Sequence, residues 1–117
     1  MGLTKLANYS DSQTRIAWVA RILAHPARVA ILEELFAGNV CFCGDIARAV
    51  GLAQPTVSQH LNVLKAAGLI RGSSLTGRTC YCLVPEQWVR ARRSLERFLS
   101  NSLGEPPASD FTEEDPT

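Results

Sequence analysis

The stretch GLAQPTVSQHLNVLKAAG constrains the fold more than any other part of the chain. Val57, Leu61 and Leu64 recur at spacings of four and three, which predicts a helix with one buried stripe. Pro55 suits the first turn of such a helix. A second short helical pattern, GDIARAVG, stands directly before it. Two short helices joined by the tight VGLAQ turn predict a helix-turn-helix, with residues 54–67 as its recognition helix.

The face opposite the buried stripe has an unusual composition. On steps of 100° per residue, Gln59 and Asn62 lie opposite the stripe, and Thr56 and Ser58 lie on its flanks. An ordinary solvated helix more often carries Glu and Lys at such positions. Side chains that both donate and accept hydrogen bonds suit the base edges of a DNA major groove. The pattern therefore indicates a helix that reads double-stranded DNA.

The remaining elements complete a winged-helix order. Helices are predicted over residues 11–24 and for HPARVAILEELFAG, and LIRGSSLTGRTCYCLV predicts a β-hairpin with a Gly-Ser-rich tip. A last helix opens at Pro85. The fold class is mainly α with a small β-hairpin wing, a winged helix-turn-helix. The predicted apolar stripes consist of Val29, Leu32, Leu35 and Phe36 in the second helix, Ile46, Ala49 and Val50 in the third, and Trp88, Ala91, Leu95, Phe98, Leu99 and Leu103 in the last.

The first and last helices carry more apolar surface than a small core covers. Ile16, Val19 and Leu23 mark the first helix, and the last is marked by Leu95, Phe98 and Leu99. A larger monomer core is one explanation. The other, which we favour, is a homodimer in which these helices pair across a two-fold axis.

Charge divides the 117 residues into a basic body and an acidic tail. Residues 1–103 hold all twelve Lys and Arg against six acidic residues, a net charge of +6, although the whole chain is only +1. We expect residues 1–103 to form the DNA-binding and dimerisation domain and residues 104–117 to be disordered. A basic body suits a nucleic-acid partner, and a solvated basic surface is the alternative.

Several function classes are disfavoured by composition. No apolar stretch reaches the roughly 18 residues of a membrane helix, and the N-terminus lacks a signal-peptide pattern, so we expect a cytoplasmic protein without a membrane partner. No nucleophile–base constellation or phosphate-binding glycine loop is present, and the chain holds two histidines. We therefore expect a protein that is not an enzyme.

The segments LAHPARVAILEEL, QPTVSQHLNVLKAAGLI and GRTCYCLVP resemble the ArsR/SmtB family of bacterial winged-helix repressors. The resemblance implies a homodimer that binds a palindromic operator and represses transcription until an inducer, commonly a metal or metalloid ion, releases it. It implies DNA contacts from the recognition segment and the wing. Together with the exposed face described above, the candidates are Gln54, Thr56, Ser58, Gln59, His60, Asn62, Lys65 and Arg78. For His60, packing within the core and a phosphate contact stay open, and for Arg78 a solvated side chain is the alternative.

All four cysteines fall into two C-x-C pairs, Cys41 with Cys43 and Cys80 with Cys82. CFC resembles the motif that opens the corresponding helix in metal-sensing branches of the family. Residues i and i+2 share a side in an extended segment, and relatives turn the matching wing face inward. Two such pairs on adjacent strands predict four neighbouring sulfurs and a site for arsenite, cadmium or zinc. Thiol redox sensing and inert packing are the alternatives.

Overall fold

The computed structural model describes residues 8–104. Its elements follow the order α1 (Asp11–Ile22), α2 (Pro26–Ala37), α3 (Cys43–Val50), α4 (Gln54–Ala66), β1 (Ile70–Leu75), β2 (Arg78–Leu83) and α5 (Pro85–Leu99). This is the predicted winged helix-turn-helix, with α3 and α4 as its two helices and the hairpin as its wing. The predicted acidic tail lies, from residue 105 onward, outside the described residues.

Local sequence signals set the helix starts. The Ser10 hydroxyl accepts the Gln13 backbone N–H at 3.0 Å, and the Gln13 side chain accepts the Ser10 N–H at 2.9 Å, so a capping box opens α1. Helices α2, α4 and α5 each carry a proline in their first turn, where no intrahelical N–H is needed. Gly51 ends α3 at a φ of 75°, a left-handed conformation that allows the chain to turn sharply into α4.

The core forms between α2, α3, α4 and the start of β1. The recognition helix buries Val57, Leu61 and Leu64 as predicted. The predicted stripe of α2 was wrong in two members, since Val29 and Phe36 are exposed and Ile31 is fully buried. Helix α2 is apolar on nearly all sides, so its periodicity does not single out one face. Helix α3 buries Ala47 rather than the predicted Ala49. The two alanines lie on opposite sides of the stripe formed by Ile46 and Val50, so the periodicity does not choose between them.

The wing is a regular two-stranded hairpin. Thr76 and Gly77 form its tip with φ values of 49° and 77°, the left-handed pair of a type I′ turn that matches the twist of the strands. Leu83 pairs with the buried Ile70 in the antiparallel register, and Tyr81 and Leu83 pack against the core. The prediction that Cys80 and Cys82 face inward was therefore wrong, because side chains alternate along the strand from Leu83.

Helix α5 returns across the body to pack against α1. The Trp88 indole N–H donates to the Leu69 carbonyl at 2.9 Å, which joins the start of α5 to the end of the recognition segment. Phe36 meets the Trp88 ring edge-on at 5.1 Å. The helix ends at Leu99, so the prediction that Leu103 belongs to its stripe was wrong, and Leu103 is exposed. Within residues 8–104, no helix is long and apolar enough to cross a membrane.

Candidate DNA-binding surface and cysteine cluster

Most of the α4 side chains predicted to contact DNA are exposed. Gln54, Thr56, Gln59, Asn62 and Lys65 are exposed, and Ser58 and His60 are partly buried. The burial of Val57, Leu61 and Leu64 fixes which face turns outward. The outward face carries one charged group, Lys65, in its last turn. The structure thus presents a row of short hydrogen-bonding side chains whose orientation follows from the core.

His60 is held by a residue that the sequence did not single out. Its Nδ1 accepts from the Arg28 Nε at 3.3 Å, and Arg28 also donates to the Ile22 carbonyl at 3.1 Å. Burial lowers the pKa of His60, and the nearby charges of Arg28 and His25 lower it further. A neutral imidazole that accepts from Arg28 links α4 to α2. Of the two roles left open for His60, this geometry favours packing.

Arg78 lies at the start of β2 against the beginning of α3. Its guanidinium carbon is 3.8 Å from the centroid of the Phe42 ring, and its Nη2 is 3.9 Å from a carboxylate oxygen of Asp45. Asp45 also pairs with Arg48 on the same helix. The Arg78 side chain is 57% exposed, so these are surface contacts that each contribute at most about 1 kcal/mol. A DNA phosphate would compete with them for the guanidinium.

Cys41 and Cys80 form the centre of the cysteine cluster. The Tyr81 N–H donates to the Cys41 carbonyl at 2.8 Å, and Phe42 pairs with Cys80 in an isolated antiparallel bridge. This confirms that the segment before α3 pairs with the second wing strand. The two cysteines are joined by a disulfide with their Cα atoms 4.8 Å apart, within the range that such a bond requires.

The other two cysteines stay outside this pair. Cys43 is the first residue of α3; its thiol donates to the Gln54 carbonyl at 3.8 Å, and burial raises its pKa. Cys82 is exposed on β2. Between residues 8 and 104, no three His, Cys, Asp or Glu side chains are grouped so that they could hold a metal ion. The predicted four-sulfur site is therefore wrong for the single chain, because Cys82 lies past the short bridge to residues 41–42.

The predicted dimer residues lie along one side of α1 and α5. Val19 is buried, Ile16, Leu23 and Leu95 are partly buried, and Phe98 and Leu99 are 53% and 75% exposed. A groove of about 320 Å³ runs between the helices, lined by Val19, Leu23, Phe36, Trp88, Ala91, Leu95 and Leu99 with Arg92 and Glu96 at its rim. The single chain leaves this apolar surface open.

Sequence reasoning missed Phe42, Asp45 and Arg28. Phe42 stands between the two cysteines of CFC, and the pairing of that segment with β2 places it opposite Cys80 and near Arg78. The signal available for Phe42 was the alternation of side chains along an extended CFC segment paired with β2. Arg28 had no such signal, since its contact with His60 spans 32 residues of sequence.

The helix-turn-helix, its exposed polar face and the hairpin beside it define a winged-helix DNA-binding regulator of transcription. The family model described as "Bacterial regulatory protein, arsR family" matches residues 25–71. The HTH-type transcriptional regulator Rv2034 of Mycobacterium tuberculosis is 39% identical over 87 residues, which cover 74% of this chain and 78% of that protein. The chain belongs to the ArsR family of bacterial regulators.

Solved structures agree with this assignment. An ArsR-like transcriptional regulator from Rhodococcus sp. RHA1 shares the fold with a TM-score of 0.65 at 23% identity, over 78% of this chain and 85% of that one. The homodimeric winged helix-turn-helix DNA-binding domain from Mycobacterium bovis is 27% identical with a TM-score of 0.55, over 82% and 93% of the two chains. These relatives are regulators of transcription and not enzymes, which confirms the expected class.

Proposed function

We propose that the protein is a homodimeric transcriptional repressor that binds a palindromic operator through α4 and the wing. The observation that carries this proposal is the exposed row of hydrogen-bonding side chains on α4 beside the exposed guanidinium of Arg78. The row suits base edges in a major groove, and the arginine suits a phosphate or the minor groove. A dimer seated on its operator would block access of the transcription machinery.

The open apolar side of α1 and α5 supports the dimer. Phe98 and Leu99 expose large apolar surfaces next to the groove between the two helices, and contiguous apolar patches of this kind mark interaction sites. A homodimer has been solved for the Mycobacterium bovis relative. Two copies related by a two-fold axis would present two recognition helices to the two halves of a palindrome.

Replacing Gln59 with alanine tests direct reading of bases. We expect Gln59→Ala to weaken binding to the operator by about 1–3 kcal/mol, because an amide that pairs with a base edge contributes that much discrimination. The probe is a duplex selected from a random-sequence library by the wild-type protein, and the readout is a titration by fluorescence anisotropy. Gln87→Ala on α5 is the matched control and should leave affinity unchanged. An equal loss on the selected and on random duplex would exclude base reading by Gln59.

Replacing Arg78 with alanine tests the wing. We expect weaker binding to all duplexes and a salt dependence whose slope falls by about one unit per subunit, the loss of one phosphate contact. Affinity is measured across a series of salt concentrations on selected and random duplex. Arg93→Ala, which removes an exposed arginine of α5 instead, should keep the wild-type slope. An unchanged slope for Arg78→Ala would mean that the wing arginine contacts no phosphate.

Release from DNA is proposed to occur at the cysteines, through a soft ion such as arsenite, cadmium or zinc as the family resemblance implies. The neighbouring sulfurs of Cys41 and Cys80 support this, since thiolates favour soft ions. In the reduced protein these two would hold the ion, and the solvent or a small ligand would complete its coordination. Cys43 and Cys82 are left outside the site. A titration of the reduced protein with arsenite, cadmium and zinc tests the proposal.

A further inference from the structure

The backbone brings the sulfurs of Cys41 and Cys80 together, independently of any bond between them. The two residues are 39 apart in sequence. The Tyr81 N–H bond to the Cys41 carbonyl and the bridge between Phe42 and Cys80 hold the two segments side by side. Reduction of the disulfide leaves both backbone contacts available. The two thiols of the reduced protein are therefore already placed to form a disulfide without rearrangement of the fold.

The surroundings make this pair selective among the four cysteines. Both Cys41 and Cys80 are partly exposed, so a small oxidant can reach them. Cys43 is engaged with the Gln54 carbonyl, and burial disfavours its thiolate, the form that reacts with oxidants. Cys82 is exposed but unpaired within the described residues. An oxidant would thus find one dithiol able to close and two thiols without a disulfide partner.

We propose that Cys41 and Cys80 form a reversible thiol–disulfide switch that weakens DNA binding when it is oxidised. This regulation rests on the proposed binding of DNA by α4 and the wing. A peroxide oxidises one thiol to a sulfenic acid and releases water; the second thiol attacks that sulfur, forms the S–S bond and releases a second water. The two electrons reduce the peroxide. A dithiol reductant restores both thiols by exchange.

The link to DNA runs through Arg78. Arg78 and Cys80 are two residues apart on β2 and share a strand face. The guanidinium lies on Phe42, the residue next to Cys41, with Asp45 at 3.9 Å. A covalent bond between Cys41 and Cys80 ties this part of β2 to the start of α3. It holds Arg78 near its aromatic and carboxylate partners, which compete with a DNA phosphate. In the reduced state these segments are connected by backbone hydrogen bonds and not by a covalent bond, so the start of β2 can separate from α3 when a DNA phosphate binds Arg78.

The same two sulfurs cannot serve a soft ion and a disulfide at once. Oxidation should therefore abolish ion binding at the pair, and a bound ion should protect the pair from oxidation. The two inputs are mutually exclusive at one site, as linkage between competing ligands requires. Protection by a bound ion therefore distinguishes oxidation of Cys41 and Cys80 from oxidation elsewhere in the chain.

The test compares DNA affinity of the full chain in dithiothreitol and after treatment with hydrogen peroxide, on the selected duplex. We expect oxidation of the wild type to weaken binding about tenfold, the effect of withdrawing one phosphate contact from each subunit, with full recovery in dithiothreitol. Peptide mass spectrometry should find Cys41 linked to Cys80, with Cys43 and Cys82 still open to alkylation. Cys41→Ser and Cys80→Ser should bind DNA like the reduced wild type, with or without peroxide. The matched control Cys82→Ser should respond like the wild type.

Three results would overturn the switch. The disulfide forms without a change in affinity; the response to peroxide persists in Cys41→Ser and Cys80→Ser; or mass spectrometry finds a different cysteine pair. In each case the reduced protein still binds its duplex, so the proposed DNA-binding function stands. If the reduced wild type binds no duplex at all, the proposed function and the switch fail together.

Discussion

Replacing Leu95 and Phe98 together with glutamate is expected to give monomers that no longer bind a palindromic duplex tightly. Both residues belong to the apolar side of α5, where Phe98 is 53% exposed and Leu95 lines the groove toward α1. In a two-fold dimer each substitution occurs twice, so four carboxylates would be buried at one interface. Unpaired charges of this kind cost several kcal/mol each, more than such an interface can absorb.

The loss of DNA binding follows from the loss of the second subunit. A dimer engages both halves of a palindrome, and the second half-site binds at the high effective concentration set by the first. Separating the subunits removes this advantage, which is about 10²- to 10⁴-fold. Sedimentation velocity at micromolar concentration gives the oligomeric state, and anisotropy on the selected duplex gives the affinity.

The control variant carries the same added charges at positions outside the proposed interface. Asn101 and Ser102 are exposed polar residues just beyond the end of α5. Asn101→Glu with Ser102→Glu adds equal charge near the same end of the helix without removing apolar surface, and should stay dimeric. Thermal unfolding distinguishes a folded monomer from a misfolded chain. A wild-type protein that sediments as a monomer, or a Leu95/Phe98 variant that remains a dimer, would contradict the proposed interface.

The elements of the fold were predictable where local signals and periodicity agree. The recognition helix has a clean stripe, a proline in its first turn and a glycine after its end, and its predicted range 54–67 differs from Gln54–Ala66 by one residue. The hairpin predicted from LIRGSSLTGRTCYCLV is of the same kind. The stripe of α2 was not predictable, because apolar residues occupy most of its circumference and only tertiary packing selects Ile31 over Val29.

The site was predictable only in part, because its geometry depends on register. Pairing of the CFC segment with β2 was expected, and it does bring cysteines together. Which cysteines meet depends on the register of that pairing, which places Phe42 opposite Cys80 and the Cys41 carbonyl at the Tyr81 N–H. A shift of one residue exchanges the two faces of a strand. The spacing in the sequence therefore predicted a shared thiol site, but it did not determine that two sulfurs meet rather than four.

The reduced protein is expected to bind arsenite or cadmium through Cys41 and Cys80, and to lose tight binding when either is replaced by serine. The sulfurs approach each other because their segments are paired along the backbone, so the second thiolate binds the ion at a high effective concentration. Removing one thiolate should weaken binding by about 100-fold or more. Because Cys82 is exposed and separate, Cys82→Ser should bind like the wild type.

Two readouts decide this prediction. Thiolate-to-metal absorbance in the ultraviolet follows the titration, and a thiol reagent then counts the cysteines that the ion protects. We expect the ion to protect two thiols per chain, because Cys41 and Cys80 are the neighbouring pair. After oxidation of these two to the disulfide, the ion should protect no further thiol. Elemental analysis of protein purified under reducing conditions shows which ion it carries. Zinc, which in structural sites takes four protein ligands, should bind less tightly than arsenite to a site with two sulfurs. Four freely titratable thiols in the presence of arsenite and cadmium would exclude the ion as inducer at this site, and the oxidation switch would then be the only proposed control through Cys41 and Cys80.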